Sequence, residues 1–278
     1  MRAWHSACLG AVAAASAAVG QVEVRCRPVF ARFLQFESVR VEVTVRNETA
    51  APLTLDPGAG EWTLSFSVET TPDSPLQPLA DALGGESWTV PPNGEATRSF
   101  NLSALFGLQR QGPYSIAAAV TKGEETYESG RSFIDLVPGM TLLERRVALS
   151  SGGRRTLTLR GLSRGREERL FLRVDDSADD ATYGAQDLGP LVRLFEPDLQ
   201  MDAGERIHVL HQSSPTVFLH TTVSADGQVL DQVPCDTGGA QARLVRREDG
   251  AVEAVGGRAV RNSPLPKPPA PDVPRRAR

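Results

Sequence analysis

Cysteine, lysine and large aromatic residues are scarce in this chain of 278 residues, and each scarcity excludes something. Three cysteines are too few for the dense disulfide framework of a small secreted domain. Lysine occurs only at Lys122 and Lys267, so nearly all the positive charge is arginine. With the abundant Ala and Gly, this reads as the codon bias of a GC-rich bacterial genome. The formal net charge of −4 gives no basic field of the kind a nucleic acid or an anionic membrane surface selects. Catalytic signatures are missing as well: there is no Gly-x-Ser-x-Gly elbow, no His-Glu-x-x-His and no phosphate-cradling glycine loop. No catalytic residue and no cofactor is expected.

Long apolar runs are absent beyond the first segment. There Arg2 supplies a positive end, Ala7 to Val19 form a run of small and apolar residues, and Ala18 to Gly20 suit a signal peptidase. Residues 1–20 are read as a signal peptide and the mature protein as periplasmic or extracellular. The run is shorter than the roughly 20 strongly apolar residues of a spanning helix, so membrane contact is expected only if the segment stays uncleaved. Cleavage removes Cys8 and leaves Cys26 and Cys235 as a candidate disulfide. In the simple entropy model such a long loop would restrict the unfolded chain by about 4 to 5 kcal/mol, provided the two ends of the fold pack closely.

What the sequence does hold is alternation with a period of two. Val39, Val41, Val43 and Val45 share one face, and Arg40, Glu42, Thr44 and Arg46 the other, the pattern of a half-buried strand. Asn47-Glu48-Thr49 and Asp56-Pro57-Gly58 are turns. Trp62, Leu64, Phe66 and Val68 alternate again. Residues 70–85 read as a long connection with one helical turn at Leu79 to Leu83. Strands are expected at Trp88 to Val90, Ala96 to Leu102, Gly112 to Val120 and Ser132 to Val137, with a short helical crossing at Leu105 to Gln109. About seven short strands with regular turn signals predict a two-sheet sandwich.

The run from Val39 through Asn47 to Leu55 resembles an early strand pair of bacterial immunoglobulin-like sandwich domains. Pro92-Asn-Gly-Glu, Phe100-Asn-Leu and Gly112-Pro-Tyr-Ser-Ile look like their closing half. The resemblance covers residues 21–138 and implies an immunoglobulin-like β-sandwich without implying a function.

A second β domain is expected over residues 139–262, as a small sandwich or barrel, making the whole chain all-β. Strands are read at Leu142 to Leu149, Arg155 to Leu162, Glu168 to Val174, Leu191 to Phe195, Ile207 to Gln212 and Val217 to Val223. Asp226-Gly227 and Asp249-Gly250 sit between apolar residues as hairpin turns. The proline-rich tail, 263–278, reads as disordered or polyproline-like.

Three of the four histidines, His208, His211 and His220, fall on one expected hairpin. A four-residue loop, Ser213 to Thr216, would set Val209 opposite His220, placing His211 and His220 on one face and His208 on the other. Two ligands fall short of the three or four that zinc takes, so no metal site is expected, with His211 and His220 as its weak candidates. Asp175, Asp176, Asp179, Asp180 and Asp187 read as a solvated acidic loop offset by Arg164, Arg166, Arg169 and Arg173 rather than as a calcium loop. Trp62 belongs to a core face, which leaves Trp88 as a surface aromatic suited to a sugar ring.

These readings converge on an exported, non-enzymatic binding or structural module for a protein or glycan partner, working through end loops or an exposed edge strand. The alternative is a secreted hydrolase or a carbohydrate-binding accessory protein. A proteinase inhibitor presenting the loop at 70–85 is a third.

Overall fold

The structure is a computed structural model that describes residues 22–57, 60–70, 74–176 and 181–260. The expected signal peptide, the proline-rich tail, Asp179 and Asp180 lie outside the described residues. The N-terminal half contains β1 (Val22–Pro28), β2 (Arg32–Leu34), β3 (Arg40–Asn47), β4 (Leu53–Leu55), β5 (Trp62–Thr70) and β6 (Ser74–Pro75). It continues with β7 (Trp88–Val90), β8 (Gly94–Asn101), α1 (Leu102–Phe106), β9 (Gly112–Lys122), β10 (Glu125–Glu128) and β11 (Ser132–Val137). The C-terminal half opens with β12 (Met140–Ala148), β13 (Arg154–Arg164), β14 (Glu167–Asp176), β15 (Thr182–Pro190) and β16 (Asp198–Met201). It closes with β17 (Ile207–Gln212), β18 (Val217–Val223), β19 (Val229–Asp236), β20 (Arg243–Arg246), β21 (Val252–Val255) and β22 (Arg258–Ala259). The protein is all-β.

In the N-terminal half a three-stranded sheet, β1-β3-β8, lies over a larger one ordered β2-β11-β9-β5-β4-β7. The valine stripe explains the pairing. Val41, Val43 and Val45 are fully buried and meet Leu64, Val68, Ile116 and Val120 from the opposite sheet. Each such side chain contributes about 1.5 to 3 kcal/mol by leaving water. Trp62 is buried as its alternation predicts; Trp88 is buried too, its ring 6.0 Å from that of Phe100, which removes it as a surface aromatic. The helical crossing begins earlier than expected, at Leu102. The side chain of Asn101 accepts from Ser103 N–H as the N-cap, and Gly107 closes the helix at φ 62°.

The C-terminal half pairs β12-β13-β14-β15 against β16-β17-β18-β19-β22, with the ribbon β20-β21 laid outside. Leu157, Leu159, Leu170 and Leu172 of the first sheet enclose Leu199, Ile207, Val209 and Val223 of the second. Both Asp-Gly turns form as expected, with Gly227 at φ 84° and Gly250 at φ 81°. Two expectations fail here. Thr182 to Asp187 extends the sheet as part of β15 because the arginines of β14 neutralise its acidic flanks: Arg173 pairs with Asp175 and Arg169 with Asp187, both at 2.8 Å. Leu191 to Phe195 is irregular rather than a strand, its backbone spent on crossing bonds from Leu191 N–H to Glu168 O and from Val192 N–H to Gln212 O.

The halves meet through a small cluster of Leu34, Leu162, Phe171 and Ala185, joined by the bond from Ala185 N–H to Phe36 O. Arg164 sits beside it with its side chain 6% exposed. It ion-pairs with Glu37, donates to Arg32 O at 3.2 Å and lies 4.0, 5.6 and 5.1 Å from the ring centres of Phe30, Phe33 and Phe171. Burial pushes the Glu37 carboxyl up, and the guanidinium of Arg164 pulls against it.

Candidate binding site

The hairpin β17-β18 corrects the sequence reading by one residue. Ser213 N–H donates to Val217 O, so Ser213 belongs to the ladder and Ser214-Pro215-Thr216 alone make the loop. Proline has no N–H to give the ladder, and Gln212 Nε2 donates to Pro215 O, tying the loop down at 3.0 Å. His220 therefore faces Leu210 instead of Val209. A slip of one residue moves a side chain to the other face, so His220 joins His208 and parts from His211. The two metal candidates, His211 and His220, stand on opposite faces and share no site.

His208 and His220 stack, with ring centres 5.2 Å apart and Nδ1 of His208 3.0 Å from Nε2 of His220. The other ring nitrogen of His208 lies 3.1 Å from Asp202 Oδ2. Asp202 follows the last residue of β16 and opens the turn Ala203-Gly204-Glu205. Its buried carboxylate accepts from Arg206 N–H at 2.8 Å and from Arg206 Nε at 2.7 Å. Burial opposes ionisation of Asp202, but these bonds outweigh it and hold its pKa below the usual aspartate value. A carboxylate only accepts, so His208 donates from Nε2 to Asp202, and its Nδ1 shares the second hydrogen bond with His220 Nε2. Burial, then the neighbouring His208, lowers the pKa of His220. This chain of groups pins the end of β16 to β17.

His211 is fully buried on the inner face. Nε2–H donates to Pro190 O at 3.1 Å while Nδ1 has no partner among the described residues. Burial pulls its pKa down to about 4, because a second proton would sit on a buried donor with nothing to receive it.

Beside the pinned end of β16 lies a cleft of about 600 Å³. One wall is the edge of β12 from Arg145 to Ala148, the other is β16 from Leu199 to Met201 with Asp202 just after it, and Arg246 of β20 closes the rim. Leu157 forms part of the floor. Arg145 faces Leu157 across the ladder and so projects on the inner side of its sheet, where it remains exposed. Among the described residues Arg145 has no carboxylate within ion-pairing range, Arg146 has only Glu144 at 3.9 Å, and Arg246 donates to Met201 O. Among the described residues the one carboxylate lining the cleft, Asp202, is already matched by Arg206 and His208. The cleft is therefore electropositive in a chain of net negative charge.

The remaining sequence candidates lie elsewhere. Cys26 and Cys235 are free thiols, buried in different hydrophobic clusters, so the disulfide weighed for them is not formed. Burial raises both, Cys26 to about 11. Asp175, Asp176 and Asp187 are held by Arg173, Arg155 and Arg169, so these carboxylates of the acidic segment serve ion pairs. Sequence reasoning passed over Asp202 and Arg145. The signal for Asp202 was its place before Ala-Gly, an Asx-type turn opening. For Arg145 it was a charge where Leu143 and Val147 mark the inner face.

No family model and no curated protein matches this chain. Among solved structures, the YadV chaperone is similar at 9% identity and a TM-score of 0.25, over 77% of this chain and 99% of the chaperone. The uncharacterized protein lmo2446 from Listeria monocytogenes EGD-e is similar at 10% identity and a TM-score of 0.21, over 76% of this chain and 20% of that protein. The functional reading rests on the chain's own geometry.

Proposed function

We propose that this protein is an exported, non-enzymatic binding module whose N-terminal half is an immunoglobulin-like sandwich and whose binding surface is the cleft between β12 and β16. The observation that carries the reading is two strand edges facing each other across about 600 Å³, with arginines and a matched aspartate on the walls. That volume falls within the range of ordinary ligand sites. Rigid walls favour recognition, since a preorganised site spends less binding energy on ordering itself; the bonds from Asp202 to His208 and Arg206 provide that rigidity. Export is supported by the N-terminal run from Arg2 to Gly20. Resin-coupled wild type and an Arg145→Glu/Arg246→Glu variant, offered the exported fraction of the source cells, test the site. A retained protein that the variant loses, at unchanged circular dichroism and Tm, is the expected result. Equal retention by both would move the binding surface elsewhere.

A further inference from the structure

The two walls of the cleft differ in one respect that defines its occupant. On β16 two of the outward backbone groups are already taken. Leu199 N–H donates to the side chain of Asp198 at 2.8 Å, and Met201 O accepts from Arg246. That edge is blunted by its own neighbours, as edges that avoid pairing commonly are. On β12 the ladder to β13 uses one side of the strand, and among the described residues no backbone bond reaches Arg145 to Ala148 from the other side. Alternate N–H and C=O groups of an edge strand point away from its single partner. From Arg145 to Ala148 these groups open onto the cleft.

We infer that the cleft takes a short extended peptide segment carrying a carboxylate, added as a strand to the free edge of β12. This rests on the reading of the cleft as the binding surface. Register sets the pattern of the guest. On the inner face Arg145 and Val147 are two residues apart, above Leu157 and beside Leu199. A guest strand there presents an acidic residue opposite Arg145 and an apolar one opposite Val147, two positions along. Arg146, on the outer face, meets a second acidic or polar residue between them. Arg246 reaches over the rim from the β16 side, so the acidic position lies between guanidinium groups of both walls. Backbone bonds supply affinity independent of sequence, and the arginines select charge.

Three synthetic ten-residue peptides decide this by titration calorimetry at low salt. One alternates Glu with Val and Ile, a second replaces Glu by Lys, and a third keeps the composition of the first but N-methylates every second backbone nitrogen. The first is expected to bind, with the Lys peptide at least tenfold weaker, the N-methylated peptide at least tenfold weaker, and Arg145→Glu weakening the first at least tenfold. Hydrogen exchange should show new protection confined to the alternate amides that face away from β13, those of Arg146 and Ala148. Equal binding of the N-methylated peptide, or of heparin competing through charge alone, would overturn strand addition in favour of a plain anion site. No binding of the first peptide would overturn the guest chemistry while leaving the capture result above to judge the cleft itself. In Arg145→Val, dimers that form without peptide and block its binding would reassign Arg145 to guarding the edge, and overturn its role as the selector of charge.

Discussion

The two halves of the molecule fold by the same alternation and fill their cores differently. In the N-terminal half the interior is a valine and leucine layer whose buried polar residues are Glu37, Asn47, Ser115 and Ser129. In the C-terminal half they are Arg155, Thr158, Asp202, His208, His211, Gln212 and Thr221. The contrast sharpens at the level of atoms. Every buried side-chain nitrogen or oxygen without a hydrogen-bond partner among the described residues belongs to the C-terminal half: those of Arg155, Arg160, Arg164, His211 and Gln212. Unpartnered buried groups cost stability, so the C-terminal half is held together less economically. It is also the half that carries the cleft, consistent with strain and polarity gathering where a fold does something besides fold.

The junction gives the sharpest way to break that comparison. Arg164→Ala leaves Glu37 buried and unpaired, and removing one partner of a buried ion pair costs about 3 to 5 kcal/mol. Tm is expected to fall by roughly 6 to 20 °C for a chain of this size. The double variant Arg164→Met/Glu37→Gln, which leaves no orphan charge, should lose less than half as much. A loss under about 1 kcal/mol for Arg164→Ala, the worth of an exposed pair, would show that the halves do not depend on this contact.

Acid should separate the halves next. His211 binds its proton less tightly in the fold, with a pKa of about 4, than in the unfolded chain near 6.5. Its contribution is therefore complete above pH 6.5 and drains as pH falls toward 4, by roughly 3 kcal/mol in total. His220 is shifted in the same direction and adds to the loss. Trp62 and Trp88 lie in the N-terminal core, so tryptophan fluorescence reports that half while hydrogen exchange at 207–223 reports the other. At pH 5 the protection of 207–223 is expected to drop before the tryptophan signal moves. Simultaneous loss would make the two cores one acid-sensitive unit.

A smaller effect checks the polar exception in the N-terminal half. Asn47 is fully buried and serves both sides of a turn. Its Nδ2 donates to Ala51 O at 2.8 Å and Pro91 O at 3.2 Å, and its Oδ1 accepts from Thr49 N–H at 3.0 Å. Asn47→Ala should cost about 2 kcal/mol in urea unfolding, because carbonyls and an amide lose their partner together. The least expected effect is in the thiols. Cys26 and Cys235 should both stay unlabelled in the fold and both react once it is denatured without reductant, as buried free thiols do.

Much of the fold was legible in the sequence because period-two burial is written residue by residue. Val39 to Val45 and Trp62 to Val68 declared their inner faces, and β7, β11, β17 and β18 begin and end where expected. Asp226-Gly227 and Asp249-Gly250 declared their turns. The site was less legible. The histidine reading failed on one residue of loop length, since Ser213 can belong either to a strand or to a turn, and only the bonds it makes to Val217 decide between them. Trp88 failed for a related reason: a three-residue strand beside a proline-rich turn carries too little alternation to say which face a partner sheet will cover.

The sequence by itself determined which residues turn inward and where the chain reverses, because side-chain alternation and turn chemistry are local. Only the tertiary structure decided what those faces meet. Glu37 finds Arg164 across 127 positions, His208 finds His220 through a register no local rule fixes, and the edge of β12 stays open because no other strand among the described residues arrives to pair with it. Such contacts depend on the path of the whole chain, and the cleft with its unpaired edge and its arginines is the product of that path.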